Sequence, residues 1–220
     1  MSDDKFTAIE YLVQHQPRIH PSAPSGAWST DIDCYKFMCE HVGPESRTLE
    51  TGCGLSTILF AAWGTHHVCV TPSASERDAV LRYSEAHGIS TEKLSFDLRP
   101  SDVALPARMH EEELDLVFID GCHGFPMSII DWYYGASRLR QGGVLVVDDI
   151  QLPQVGSSLK RFLARDPRWQ RVRSTPKWNA YRRSSIGSLG EEWTAQRWFG
   201  QPMPGPVLGV RLRLSKLLRR

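Results

Sequence analysis

From Arg47 to Asp149 short apolar runs alternate with stretches of helical periodicity, and this alternation narrows the fold most. Strands are expected near Arg47–Glu50, His67–Val70, Leu94–Leu98, Leu114–Asp120 and Val144–Val147. Helices are expected after Gly54, from Ser73 to about His87, and from Pro126 to Leu139. The repeat is roughly thirty residues, the length of a βαβ unit, which argues for a doubly wound α/β sheet. Leu114-Asp-Leu-Val-Phe-Ile-Asp120 is the clearest strand, an apolar run of the kind buried on both faces of a parallel sheet. Ahead of this region, Ile32, Tyr35, Met38, Cys39 and Val42 recur at three- and four-residue steps, which predicts a helix over 31–42 with Phe37 off its stripe. Beyond it, Ser157–Ala164 reads as a helix, and 169–173 and 178–183 read as a closing hairpin.

Ligands in such sheets bind at the carboxyl ends of the strands. There the chain places Glu50-Thr-Gly-Cys-Gly-Leu-Ser-Thr57. Gly52, Cys53 and Gly54 form a tight turn that lets backbone approach a ligand, and Ser56 and Thr57 open a helix whose free N–H groups attract an anion. Glu50 just before the turn suits a cationic amine or a hydroxyl rather than a phosphate. A donor and an acceptor side by side fit the methionine end of S-adenosylmethionine. A dinucleotide fingerprint would need a glycine where Thr57 stands, and the Gly-Lys-Ser/Thr of a P-loop is absent. A purely structural strand–turn–helix is the alternative.

Asp120 ends the fourth strand and Asp148-Asp149 the fifth. Adjacent strands would bring the three carboxylates to one rim, where they repel unless protonated, hydrogen-bonded or bound to a cation. Asp120, Asp148 and Asp149 are therefore the expected ligands of Mg²⁺, or of Mn²⁺ or Ca²⁺. Turn capping and cofactor orientation are their alternative roles. His123, in Gly121-Cys-His-Gly-Phe-Pro126, sits on a loop at the same rim and is the expected proton acceptor, with a backbone-bonded loop histidine as the plainer reading. After the second strand Thr71 and Ser73 offer hydroxyls where a ribose-binding acid is missing, and Glu76 is assigned to a capping box with Ser73. Ser101 and Asp102 are placed near the adenine amino group or, equally, at a helix cap.

Together Glu50–Thr57, Phe118–Pro126 and Gly142–Asp149 resemble class I S-adenosylmethionine-dependent methyltransferases, in the branch with FIDG-x-H and DD motifs related to catechol-type and sugar O-methyltransferases. The resemblance spans roughly residues 28–184. It implies a Rossmann-like, seven-stranded, mostly parallel sheet with its last strand antiparallel, cofactor over strands one and two, and acceptor over strands four and five. It also implies Asp120, Asp148 and Asp149 as metal ligands and His123 as base. Cys122 stands where an acid is common in that branch.

The expected domain is flanked by residues 1–27, an extension or lid with a Pro/Ser/Gly-rich hinge, and by a basic extension, 185–220. Residues 160–220 carry 15 Lys/Arg against 3 Asp/Glu, while the rest of the chain is acidic. The tail Arg211–Arg220 mixes apolar and basic residues, so weak contact with an acidic membrane surface is one reading; phosphate-backbone binding and a solvated tail are the others. No clear nucleic-acid signature appears. There is no long apolar run and no signal-peptide pattern, and the odd count of five cysteines lacks metal spacing, so a cytoplasmic protein with reduced thiols is expected. The function expected is methyl transfer to a hydroxyl of a small molecule or saccharide, assisted by a divalent cation. Alternatives are metal-free transfer with His123 alone, or non-catalytic binding through the basic end.

Overall fold

A computed structural model describes residues 2–186 and Leu189. The chain divides into two units, 1–187 and 188–220. The first is an α/β sandwich; the basic tail at 211–220 lies outside the described residues.

Seven strands form one sheet in the order β3-β2-β1-β4-β5-β7-β6. They are β1 (Arg47–Thr51), β2 (His66–Val70), β3 (Leu94–Asp97), β4 (Leu114–Ile119), β5 (Leu139–Val147), β6 (Trp169–Ser174) and β7 (Asn179–Arg183). Strands β1 to β5 pair in parallel, and β7 runs antiparallel to both β5 and β6. This is the Rossmann-like arrangement with an antiparallel last strand. Order reverses beside β1: the chain runs outward from β1 through β2 to β3 and then crosses back to β4 on the other side, and that switch point opens a crevice at the carboxyl ends.

Helices cover both faces. Helices α1 (Ser2–Gln14), α2 (Ile32–Glu40), α3 (Leu55–Ala62) and α4 (Ala74–Ala86) share a core with Cys69, Leu116, Phe118, Val144 and Val146 from the sheet. On the other face lie α5 (Ser101–Ala107), α6 (Met127–Ser137) and α7 (Pro153–Leu163). Gly135 of α6 comes so near the sheet that an added Cβ would lie 3.2 Å from Val117 Cγ1. Of the predicted stripe, Tyr35, Met38, Cys39 and Val42 are buried and Ile32 partly so, with Cys34 buried beside them, and Phe37 packs on Trp178 with ring centroids 5.3 Å apart. No disulfide joins the five cysteines, all of which lie among the described residues. No described helix is long and apolar enough to cross a membrane.

Two local expectations change. The fifth strand starts not at Val144 but at Leu139, because Gly142 at φ 82° absorbs a register shift against β4. Ser73 caps α4 by accepting from the Glu76 N–H, but Glu76 does not reach back to complete a box, because Thr71 already occupies the Ser73 N–H. The N-terminal segment is tied to the domain. Ile9 and Leu12 of α1 lie in the core, and the Pro17–Gly26 loop is closed by Ile19 N–H donating to the Gly26 carbonyl at 2.8 Å.

Candidate active site

The carboxyl ends of β1, β2, β4 and β5 surround a cavity of about 1040 Å³. Ordinary ligand pockets run to roughly 1,000 Å³, so this one has room for two ligands side by side.

The floor is the glycine turn. Gly52 has φ 94°, and an added Cβ would collide with the carbonyl oxygen of Asp120, so the turns leaving β1 and β4 meet here at backbone contact. Gly52, Cys53, Gly54 and Ser56 line the cavity. Two of the residues assigned to the same ligand do not. Glu50 is 1% exposed and Thr57 fully buried; the Thr57 hydroxyl donates to Glu50 and accepts from the Gly54 N–H at 3.0 Å. They lie beneath the turn and shape it, because side chains alternate along β1 and Glu50 points under α3.

At the β2 end Thr71 and Ser73 line the cavity, joined by Glu76. The Thr71 hydroxyl donates to Glu76 Oε2 at 2.9 Å, and His20 Nε2 stands 3.8 Å from Glu76 Oε1. His20 is fixed in turn by accepting the Trp28 N–H at 3.0 Å. Glu76 thus places an acid at the β2 end of the cavity. Its capping-box spacing hid it, and no local signal marked His20. Ser101 and Asp102, at the start of α5, line the same end.

At the opposite end Asp120, His123 and Asp149 come together, one ligand atom from each lying within 4.8 Å of the others. His123 Nε2 is 3.1 Å from Asp149 Oδ2 and 3.8 Å from Asp120 Oδ1. Asp149 adopts the left-handed region at φ 51°, which aspartate tolerates. Asp148, the third expected ligand, lies outside this cluster. It is 2% exposed, with Oδ2 3.6 Å from Lys177 Nζ. Adjacent residues leaving a strand point apart, so Asp148 and Asp149 cannot both face His123. Lys177 also stands 3.9 Å from Asp149 Oδ1 and donates to the Ser29 carbonyl at 2.9 Å. It comes from the β6–β7 connection, too distant in sequence to be associated with the rim. Of the aromatic residues considered for an acceptor pocket, Trp28 lines the cavity and is 60% exposed; Trp132, Tyr133 and Tyr134 do not line it.

Burial pushes the Asp120 carboxyl well above the usual carboxylate range, and the like charges of Asp148, Asp149 and Glu50 add to it while Lys177 opposes. Burial likewise raises Asp148, against the pull of Lys177. His123 Nε2 and Asp148 Oδ1 are buried atoms without an aligned hydrogen-bond partner. Crowded carboxylates beside an open imidazole nitrogen are a donor set that accepts a divalent cation.

Residues 49–150 match the family model of a methyltransferase domain. The fold recurs in a structure of a Podospora anserina methyltransferase with S-adenosylhomocysteine bound, with TM-score 0.59 and 16% identity over 83% of this chain and 88% of that one. It recurs in an O-methyltransferase from Bacillus cereus in complex with S-adenosylhomocysteine, with TM-score 0.57 and 17% identity over 80% and 88%. A structure described as a putative O-methyltransferase from Klebsiella pneumoniae gives TM-score 0.57 and 14% identity over 84% and 100%. No curated protein matches the chain at a significant level.

Proposed function

We propose that this methyltransferase-type domain moves the methyl group of S-adenosylmethionine to a hydroxyl of a small-molecule or saccharide acceptor. The observation that carries the reading is one cavity with the glycine turn at one end and the Asp120–His123–Asp149 cluster at the other. When bound, S-adenosylmethionine supplies an electrophilic methyl on a sulfonium. Gly52 and Gly54 admit its methionine end, Glu76 accepts from the ribose hydroxyls with Thr71 beside it, and Asp102 faces the adenine amino group. This reading rests on their places around the cavity.

Asp120, Asp149 and His123 would hold a divalent cation, and the imidazole adds Mn²⁺ to the Mg²⁺ and Ca²⁺ that carboxylates favour. Such a cation lowers the pKa of a hydroxyl and fixes its oxygen. Lys177 spreads positive charge over Asp148 and Asp149, so the rim is not wholly dependent on a cation. The 3.1 Å contact between His123 and Asp149 favours a second, metal-free reading. In it His123 Nε2 accepts the hydroxyl proton and Asp149 stabilises the imidazolium. Either way, neutralisation of sulfonium by alkoxide leaves positioning as the main task of the protein.

Calorimetric titration of S-adenosylhomocysteine, with Mg²⁺ or Mn²⁺ and then with EDTA, tests both parts. Micromolar binding in either condition is expected, followed by turnover of hydroxylated acceptors. Absence of binding in both sinks the proposal; turnover undiminished by EDTA selects the metal-free route.

A further inference from the structure

The Pro17–Gly26 loop and the residues that follow it lie over the glycine turn. A Cβ placed on Gly54 would stand 3.6 Å from the Trp28 carbonyl oxygen and 3.8 Å from His20 Cε1. The loop fixes His20 through its backbone: the His20 N–H donates to the Gly26 carbonyl at 2.8 Å, and the His20 carbonyl accepts from the Ala23 N–H at 3.0 Å. The ring is fixed separately, by the Trp28 N–H donating to His20 Nδ1 at 3.0 Å. His20, Trp28 and Glu76 all line the cavity.

The bond from Trp28 decides where the imidazole hydrogen sits. A backbone N–H is a donor, so Nδ1 meets it with a lone pair and carries no hydrogen. The ring hydrogen is therefore on Nε2. Nε2 stands 3.8 Å from Glu76 Oε1, beyond hydrogen-bond reach. Among the described residues no acceptor takes the Nε2 hydrogen. Glu76 is its counterpart. The Thr71 hydroxyl donates to Oε2 at 2.9 Å, while Oε1 receives no hydrogen bond among the described residues.

The cavity thus presents a free donor and a free acceptor 3.8 Å apart. A ligand carboxylate would be repelled by Glu76, and an ammonium would oppose the Nε2 hydrogen. A hydroxyl answers both, since it gives one hydrogen and accepts another. An oxygen about 2.8 Å from each atom closes the gap.

We infer that His20 is a cofactor-binding residue: one ribose hydroxyl gives its hydrogen to Glu76 Oε1 and accepts the hydrogen on His20 Nε2. The inference rests on the proposed reading of Glu76 as the ribose acceptor. It makes the loop over the turn part of the cofactor site. Backbone bonds already hold the loop around His20, so binding bears little cost of ordering it.

The test is calorimetric titration of S-adenosylhomocysteine, and of two analogues each lacking one ribose hydroxyl, into the full chain and into His20→Asn. The asparagine carbonyl keeps a partner for the Trp28 N–H, while its amide falls short of Glu76. His20→Asn should weaken S-adenosylhomocysteine about 3–10-fold, the worth of one neutral hydrogen bond. The same weakening is expected for the analogue that keeps the bridging hydroxyl, and none for the analogue that lacks it. Weakening of all three ligands alike means a structural role for His20, and overturns the inference while the cofactor reading stands. Unchanged affinity for S-adenosylhomocysteine overturns it too. If the unaltered chain binds no S-adenosylhomocysteine, the cofactor reading fails and the bridge with it. Nitrogen NMR of the unaltered, ligand-free chain tests the donor without any substitution. His20 should show a hydrogen on Nε2 and a bare Nδ1, and a hydrogen on Nδ1 overturns the inference.

Discussion

At the β1 end of the cavity Glu50 is enclosed with Thr57 and His67, whereas at the β4–β5 end Asp120, His123 and Asp149 stand partly exposed around an open centre. Both ends concentrate charge. The first settles it within the protein, through a chain of side-chain contacts running from Gly54 to the Phe60 carbonyl. The second leaves it unsettled, with carboxyls raised by burial and by one another. A site that binds with backbone can bury its charges, while a site that moves a proton or holds a cation must leave its charges accessible.

The largest break in this contrast is expected from Asp149→Asn. Removing the charge beside His123 should lower methyl transfer by about 10²–10⁴-fold while S-adenosylhomocysteine affinity changes little. Full turnover in a single-cycle assay would disprove the rim's role. Next comes His67→Phe, which leaves the buried Thr48 hydroxyl without its imidazole partner. A loss of about 1–3 kcal/mol in urea unfolding is expected, and no loss would mean the buried hydrogen-bond chain contributes nothing to stability. Gly52→Ala should weaken S-adenosylhomocysteine on the order of 100-fold, because the new Cβ meets the Asp120 carbonyl at a backbone angle alanine resists. Binding equal to that of the unchanged protein would refute a tight turn.

The smallest expected effect sharpens the comparison instead of breaking it. The folded-state pKa of Asp120 is raised, so its ionisation opposes folding: its contribution is favourable below the unfolded carboxyl value, about 3.9, and is lost as pH rises through the raised value. In EDTA at neutral pH, Asp120→Asn should therefore stabilise the protein by about 0.5–2 kcal/mol, a gain that vanishes in acid. Thermal unfolding at both pH values checks the sign. With Mn²⁺ present the same substitution should remove metal-dependent stabilisation, since a ligand is gone.

Much of the architecture was legible in one dimension. Apolar runs such as Leu114–Ile119 and the stripe on α2 are periodic signals of local geometry, and the Gly52 turn announces a backbone that only glycine accepts. The rim was half legible. Asp120 and Asp149 followed from strand ends, but choosing between Asp148 and Asp149 depended on which way each leaves β5. Glu76 was visible yet misassigned, because its spacing from Ser73 satisfies a capping box equally well. His67 carried no signal at all, since its meaning lies in Glu50 and Thr48 across a strand pairing.

By itself, then, the sequence determined the sheet, the glycine turn and the carboxylates at its edge, because these follow from periodicity, φ preference and charge along the chain. Only the tertiary structure decided which charges face the cavity and which are buried. His20, His67 and Lys177 reach the site or its foundation from distant segments, and contacts of that range are made by packing, which leaves no trace at any one position.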